Sequence, residues 1–212
     1  MKSGEAEPDF PGKRFISEPV IDLRYEIEVL AEPGDVWPWI LQMGYHRAGW
    51  YIDAWWDKLI QEQFWPRVVP KEARGTYQAP ANRILSEYQT LSLGDIVPDG
   101  PPGTAFFEVV GIEPNRLLLL FATSHFNYMA PRFVYRTRWA PTGAFCWAFV
   151  LSERSIGRTC LTSWWQAEVR PVAVARVLRP LLAVVDRAHQ REILRGIKKR
   201  VERAHVRVRA RR

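Results

Sequence analysis

The spacing of apolar residues changes once along this 212-residue chain, and that change limits the fold more than any other feature. Beyond Pro171, Val174, Leu178, Leu181, Val185, Ala188, Ile193, Ile197 and Val201 recur at helical spacing, with Arg and Lys on the other faces. Pro180 should kink or restart this helix. Its main piece, residues 180–204, would be ~37 Å long at about 1.5 Å per residue. Ahead of Pro171 the dominant period is two. Leu23, Tyr25, Ile27 and Val29 alternate with Asp22, Arg24, Glu26 and Glu28, as in a half-buried strand. A turn follows, with Asp35 as the expected cap of a short helix that Gly44 ends. A second short helix is predicted from about Trp50 to Gln63, then a long loop at 65–81. Strands are predicted at 105–112 and 117–123 around EPNR, more weakly at 134–139, and at 145–152 and 158–169 around Ser155–Gly157. The order implies an α+β domain: an antiparallel sheet of about seven strands, two short helices after the first strand, and one long C-terminal helix.

Charge and composition set the remaining bounds. Residues 170–212 hold 14 Lys/Arg and three acids, so the net charge of +7 belongs to the C-terminal segment. The rest of the chain is slightly acidic, which argues against a basic nucleic-acid face on the folded body. Pro8, Pro11 and Pro19 mark residues 1–20 as a flexible lead; 21–204 form one domain, and 205–212 a basic tail expected to fray. That tail could make weak contact with an anionic membrane, or simply be solvated. No run of 18 uncharged apolar residues occurs and the N-terminus lacks an apolar core, so a cytoplasmic protein is expected. Hairpin pairing puts Cys146 opposite residues 165–167 rather than opposite Cys160, so no disulfide is expected. No G-x-S-x-G, Walker, Rossmann or EF-hand pattern occurs, and His189 with Glu192 offers too few ligands for a metal; no cofactor and no metal are expected. Ten Trp, ten Phe and seven Tyr supply aromatic area for a large core or for a ring-lined cavity.

Residues 31–51 (AEPGDVWPWILQMGYHRAGWY), 82–103, 109–120, 146–151, 157–161 and 191–202 resemble a branch of the START-related superfamily, also called SRPBCC. That branch includes polyketide cyclase/dehydrase-like and lipid-transfer proteins. The resemblance implies the helix-grip fold, a curved sheet wrapped on the C-terminal helix with an apolar cavity between them. It also implies a small hydrophobic ligand, such as a lipid, a polyketide or an aromatic. Some relatives only bind or carry such molecules. Others steer cyclisation or dehydration with a few polar cavity residues, and this is the alternative function.

The resemblance places the segment from Gly44 to Tyr51 at the cavity border. His46 could act as an acid or base there and Arg47 as an anchor, or both could be solvent-facing loop residues. Trp50, Tyr51 and Trp55 are expected ligand contacts. His125 and Tyr128, in the loop after the fourth strand, could together polarise a carbonyl, or the loop could be plain surface. Trp139, Trp147, Trp164, Trp165 and Phe149 could line the cavity or fill the core; Gln166, on the face of Trp164, could orient a ligand. Two or more of His46, Asp53, His125, Tyr128 and Gln166 in one pocket would favour an enzyme over a carrier.

Overall fold

The alternating run after residue 20 forms β1 (Ile21–Val29), followed by α1 (Pro33–Leu41). The computed structural model describes residues 9–52, 55 and 70–209, apart from the side chains of residues 174, 178, 181, 182, 185 and 207–209. Further along come β2 (Ile96–Pro98), β3 (Phe106–Glu113), β4 (Leu117–Ala122), β5 (Thr142–Ser155), β6 (Arg158–Arg170) and α2 (Val172–Arg209). The strands make one antiparallel sheet in the order β1-β6-β5-β4-β3-β2, and α2 packs on β1 and β6. This is the helix-grip fold.

Six strands, rather than about seven, are found among the described residues. The predicted strand at 134–139 is instead a 3-10 turn, Val134–Arg136, followed by a loop. Side chains claim its backbone: Thr137 Oγ1 donates to the Val134 carbonyl at 2.7 Å and accepts from the Trp139 N–H at 3.1 Å. Asp35 does not cap α1. That helix starts two residues earlier, with Pro33 in its first turn, and Asp35 lies 3.4 Å from His205 Nδ1. Pro180 sits inside α2 without ending it, and the helix runs through Arg209 instead of fraying at 205. Packing on the sheet offsets the one ladder bond a helical proline removes. The second predicted helix lies almost wholly outside the described residues.

The pleat sorts side chains onto two faces. Val29, Leu118, Leu120, Trp147, Phe149 and Leu161 point toward α1 and α2. There they meet Val36, Ile40, Ile193, Leu194, Ile197 and Val201, all buried. The outer face is also covered. Phe10 and Ile16, from the segment read as a flexible lead, are buried against Leu119, Cys146 and Ala148. Glu168 on β6 ties that segment down, accepting from the N–H groups of Ser17 at 2.7 Å and Glu18 at 2.9 Å. Cys146 pairs with Gln166 in the hairpin, and both cysteines are free thiols.

Candidate ligand site

The packing between sheet and α2 is uneven along the helix. From Ile193 to Val201 the contact is dry. Toward the helix N-terminus, inner-face rings stay half-buried: Tyr25 on β1, Phe145 on β5 and Trp165 on β6, with Trp50 beside them. Trp50 stacks on Trp147 at 5.4 Å between centroids and meets Phe107 edge-on at 6.0 Å. Phe145 touches Trp165 at 5.7 Å. The result is a wall of rings that are each partly exposed.

Two polar clusters border that wall. The first forms where β2 and β4, the two neighbours of β3, end on the same side of the sheet. Asp99 follows β2 directly, and His125 lies in the 3-10 turn Ser124–Asn127 just after β4. The Ser124 hydroxyl pins that turn to the start of β3, donating to the Phe106 carbonyl at 2.9 Å and accepting its N–H at 3.0 Å. His125 Nε2 then lies 2.8 Å from Asp99 Oδ2, and the imidazole packs on Phe107 at 4.6 Å and Phe145 at 5.6 Å. His125 Nδ1, Trp50 Nε1 and Tyr25 Oη are buried and have no hydrogen-bond partner among the described residues. His189 on α2 lies within reach of the Asp99 charge. Burial pushes its pKa below the usual histidine value, and Asp99 pulls more weakly the other way.

The second cluster joins β5, β6 and α2. The Trp147 indole donates to Ser163 Oγ at 2.8 Å, and Ser163 donates to Gln190 Oε1 at 2.7 Å. Trp165 Nε1 donates to Asp186 Oδ2 at 2.9 Å, and Gln190 Nε2 to Asp186 Oδ1 at 3.4 Å. Burial pushes the Asp186 carboxyl above its ordinary range, against the pull of those donors. Burial, and then the Asp186 charge, push the Tyr25 phenol up. Among the described residues no group of three His, Cys, Asp or Glu is placed to hold a metal ion.

The residues singled out in the sequence divide sharply. His125, Trp50 and Trp147 meet at the ring wall. Tyr128 points elsewhere, donating to the Gly103 carbonyl at 3.2 Å. His46 is exposed and rests on Tyr45. Arg47 closes the end of α1, donating to the Met43 and Leu41 carbonyls at 2.9 Å each, while its guanidinium covers the Tyr88 ring. Burial pushes its pKa down. Tyr51 is locked in the core, with its hydroxyl on the Trp39 carbonyl at 2.9 Å. Trp139 and Trp55 are 47% and 63% exposed. Trp164 and Gln166 lie on the outer face, where both donate to the Asp22 carboxylate, at 2.7 and 2.8 Å. Asp53 lies outside the described residues. Trp165, singled out with the other strand aromatics, stands in the wall; Asp99, Ser163, Asp186 and Gln190 were not singled out. The alternation of β6 carried a signal for Ser163 and Trp165; no local pattern marks Asp99.

A separate cleft of about 840 Å³ runs along the outer side of α2, beside Tyr51, Arg195, Lys199, Arg200 and Arg203. Its charged lining does not suit an apolar molecule. No helix among the described residues is long and apolar enough to cross a membrane.

No protein-family model matches the chain, and no curated protein does. Solved structures do. Protein MLL2253 from Mesorhizobium loti is 16% identical, covers 86% of this chain and 98% of its own, and has a TM-score of 0.45. Norcoclaurine synthase from Thalictrum flavum, solved with dopamine and hydroxybenzaldehyde, is 11% identical over 95% of this chain and 98% of its own, with a TM-score of 0.45. DynU16, a protein of the dynemicin biosynthetic locus, is 14% identical over 85% of this chain and 47% of its own, with a TM-score of 0.44. These are likenesses of fold at low identity. The site rests on this chain's own residues.

Proposed function

We propose that the protein binds a small, largely apolar molecule between the sheet and the N-terminal half of α2. The observation that carries this reading is the half-buried ring wall of Tyr25, Trp50, Phe145 and Trp165 with three buried, unpaired polar atoms, Tyr25 Oη, Trp50 Nε1 and His125 Nδ1. Partly exposed aromatic side chains with a few unpaired polar atoms among them are what small-molecule sites are made of. Binding is favoured over catalysis. Of His46, His125, Tyr128 and Gln166, His125 alone faces this region.

Native mass spectrometry of freshly purified protein, with equilibrium dialysis against naphthalene, tests the reading. The expected result is a co-purified small mass or saturable one-site uptake, weakened at least several-fold by Trp50→Ala. The absence of both a bound mass and saturable uptake would overturn it.

A further inference from the structure

One end of the sheet presents apolar and basic side chains together. β5 begins beside the end of β6, with Thr142 opposite Arg170. That register sets the loop at residues 128–141, which leads into β5, next to the first turns of α2. The loop has a defined shape. Tyr135 Oη donates to the Phe126 carbonyl at 2.7 Å and accepts from the Ala130 N–H at 3.1 Å. Phe126 in turn stacks on Phe145 of the ring wall, at 4.7 Å between centroids. Held in this way, the loop still leaves large apolar side chains in water. Phe133 is 71% exposed, and Met129 and Trp139 are exposed too. So are Val172 and Val177 in the first turns of α2.

Arginines accompany them. Arg136, Arg138, Arg176 and Arg179 are exposed and make no ion pair among the described residues, and Arg138 lies over the Trp139 ring at 4.9 Å. Arg132 is paired with Glu72. Residues 114–152 and 169–185 contain no Asp or Glu. Exposed apolar side chains rimmed by charge mark interaction surfaces, and the mixture here selects the partner. A nucleic-acid strand would use the arginines and the rings and leave Met129, Val172 and Val177 in water. The boundary of an anionic bilayer takes all of them. Aromatic rings sit at headgroup level there, and guanidinium groups meet the lipid anions.

We propose that the loop at 128–141 and the first turns of α2 dock on an anionic lipid surface, with Phe133 and Trp139 entering the headgroup region and Arg136, Arg138, Arg176 and Arg179 meeting the lipid anions. This face is at the opposite end of α2 from the basic tail at 205–212, and it does not require the ring wall to hold a ligand.

Cosedimentation with phosphatidylcholine vesicles, with and without roughly 30% phosphatidylserine, tests this. The wild type should bind the anionic vesicles roughly tenfold better than the neutral ones, and binding should fall as salt rises. Phe133→Ser with Trp139→Ser should weaken it roughly tenfold, and so should Arg136→Gln with Arg138→Gln. These side chains are exposed, and unchanged thermal melts show that the fold is kept; should the first pair melt early, the arginine pair decides. Neutralising Arg207, Arg209, Arg211 and Arg212 should leave most of the binding in place. The proposal is overturned if the wild type ignores anionic vesicles, if it binds both kinds alike, if the loop variants bind as the wild type does, or if neutralising the tail costs as much as altering the loop. Self-association in sedimentation velocity that Phe133→Ser relieves, without vesicle binding, would overturn it too and assign the face to a second copy of the chain.

Discussion

Gln42 is fully buried at the end of α1, and all of its polar atoms are used. Nε2 donates to Tyr51 Oη at 2.8 Å and to the Arg83 carbonyl at 3.1 Å; Oε1 accepts from the Leu85 N–H at 2.9 Å. The amide thereby ties the end of α1 to Tyr51, nine residues on, and to the segment at residues 83–85. Gln42→Leu strands the Leu85 N–H in an apolar setting, and we expect a loss of about 1–3 kcal/mol in urea unfolding; a change inside ~0.5 kcal/mol would show that the network contributes little. Asp186 makes a different prediction. Its carboxyl is raised in the fold above its ordinary 3.8, so the native state holds the proton to higher pH than the unfolded chain does. The resulting penalty is absent below that ordinary value, grows as pH rises toward the raised one, and then stays constant. Asp186→Asn removes it. The stability of the variant relative to wild type should rise with pH across that window, and a difference independent of pH would contradict the assignment.

At the scale of elements, α2 is held by how closely it can approach. Gly196 sits where a Cβ would run into the carbonyl oxygen of Tyr51, a backbone atom with little freedom to move. Tyr51 is itself set in a left-handed conformation, at φ 61°. Arg200 adds a tie from the same part of α2, donating to the Ala81 carbonyl at 2.8 Å. Gly196→Ala should cost about 1–3 kcal/mol through overpacking, although it raises helix propensity. A thermal melt that rises instead would mean that α2 can shift without penalty. β6 shows the limit of reading an element by itself. Its alternation was legible, yet Trp164 and Trp165 carry equal apolar weight on opposite faces. Only the covering elements decide that Trp165 reaches Asp186 on α2 while Trp164 meets Phe10 at 5.2 Å on the other side.

Over the whole molecule the sheet is a central layer with both faces covered. The outer cover is the segment bearing Phe10 and Ile16, held by Glu168. The N–H groups of Glu18 and Ser17 keep the Glu168 carboxyl below its ordinary 4.5, so this tie is present above that value and lost as pH falls through the lowered one. Glu168→Ala should speed amide exchange at residues 15–18 by roughly tenfold while leaving α2 protected. Unchanged protection would place the hold on the apolar contacts of Phe10 and Ile16 alone. The sequence by itself determined the sheet-then-helix order, the strand faces within each hairpin and the long terminal helix, because each follows from the period of nearby residues. The tertiary structure alone decided which sheet face meets α2, that the proline-marked lead is a cover, and that Asp99 meets His125 across β3. Those outcomes depend on strand order and on groups brought together from distant segments, and no local spacing encodes either.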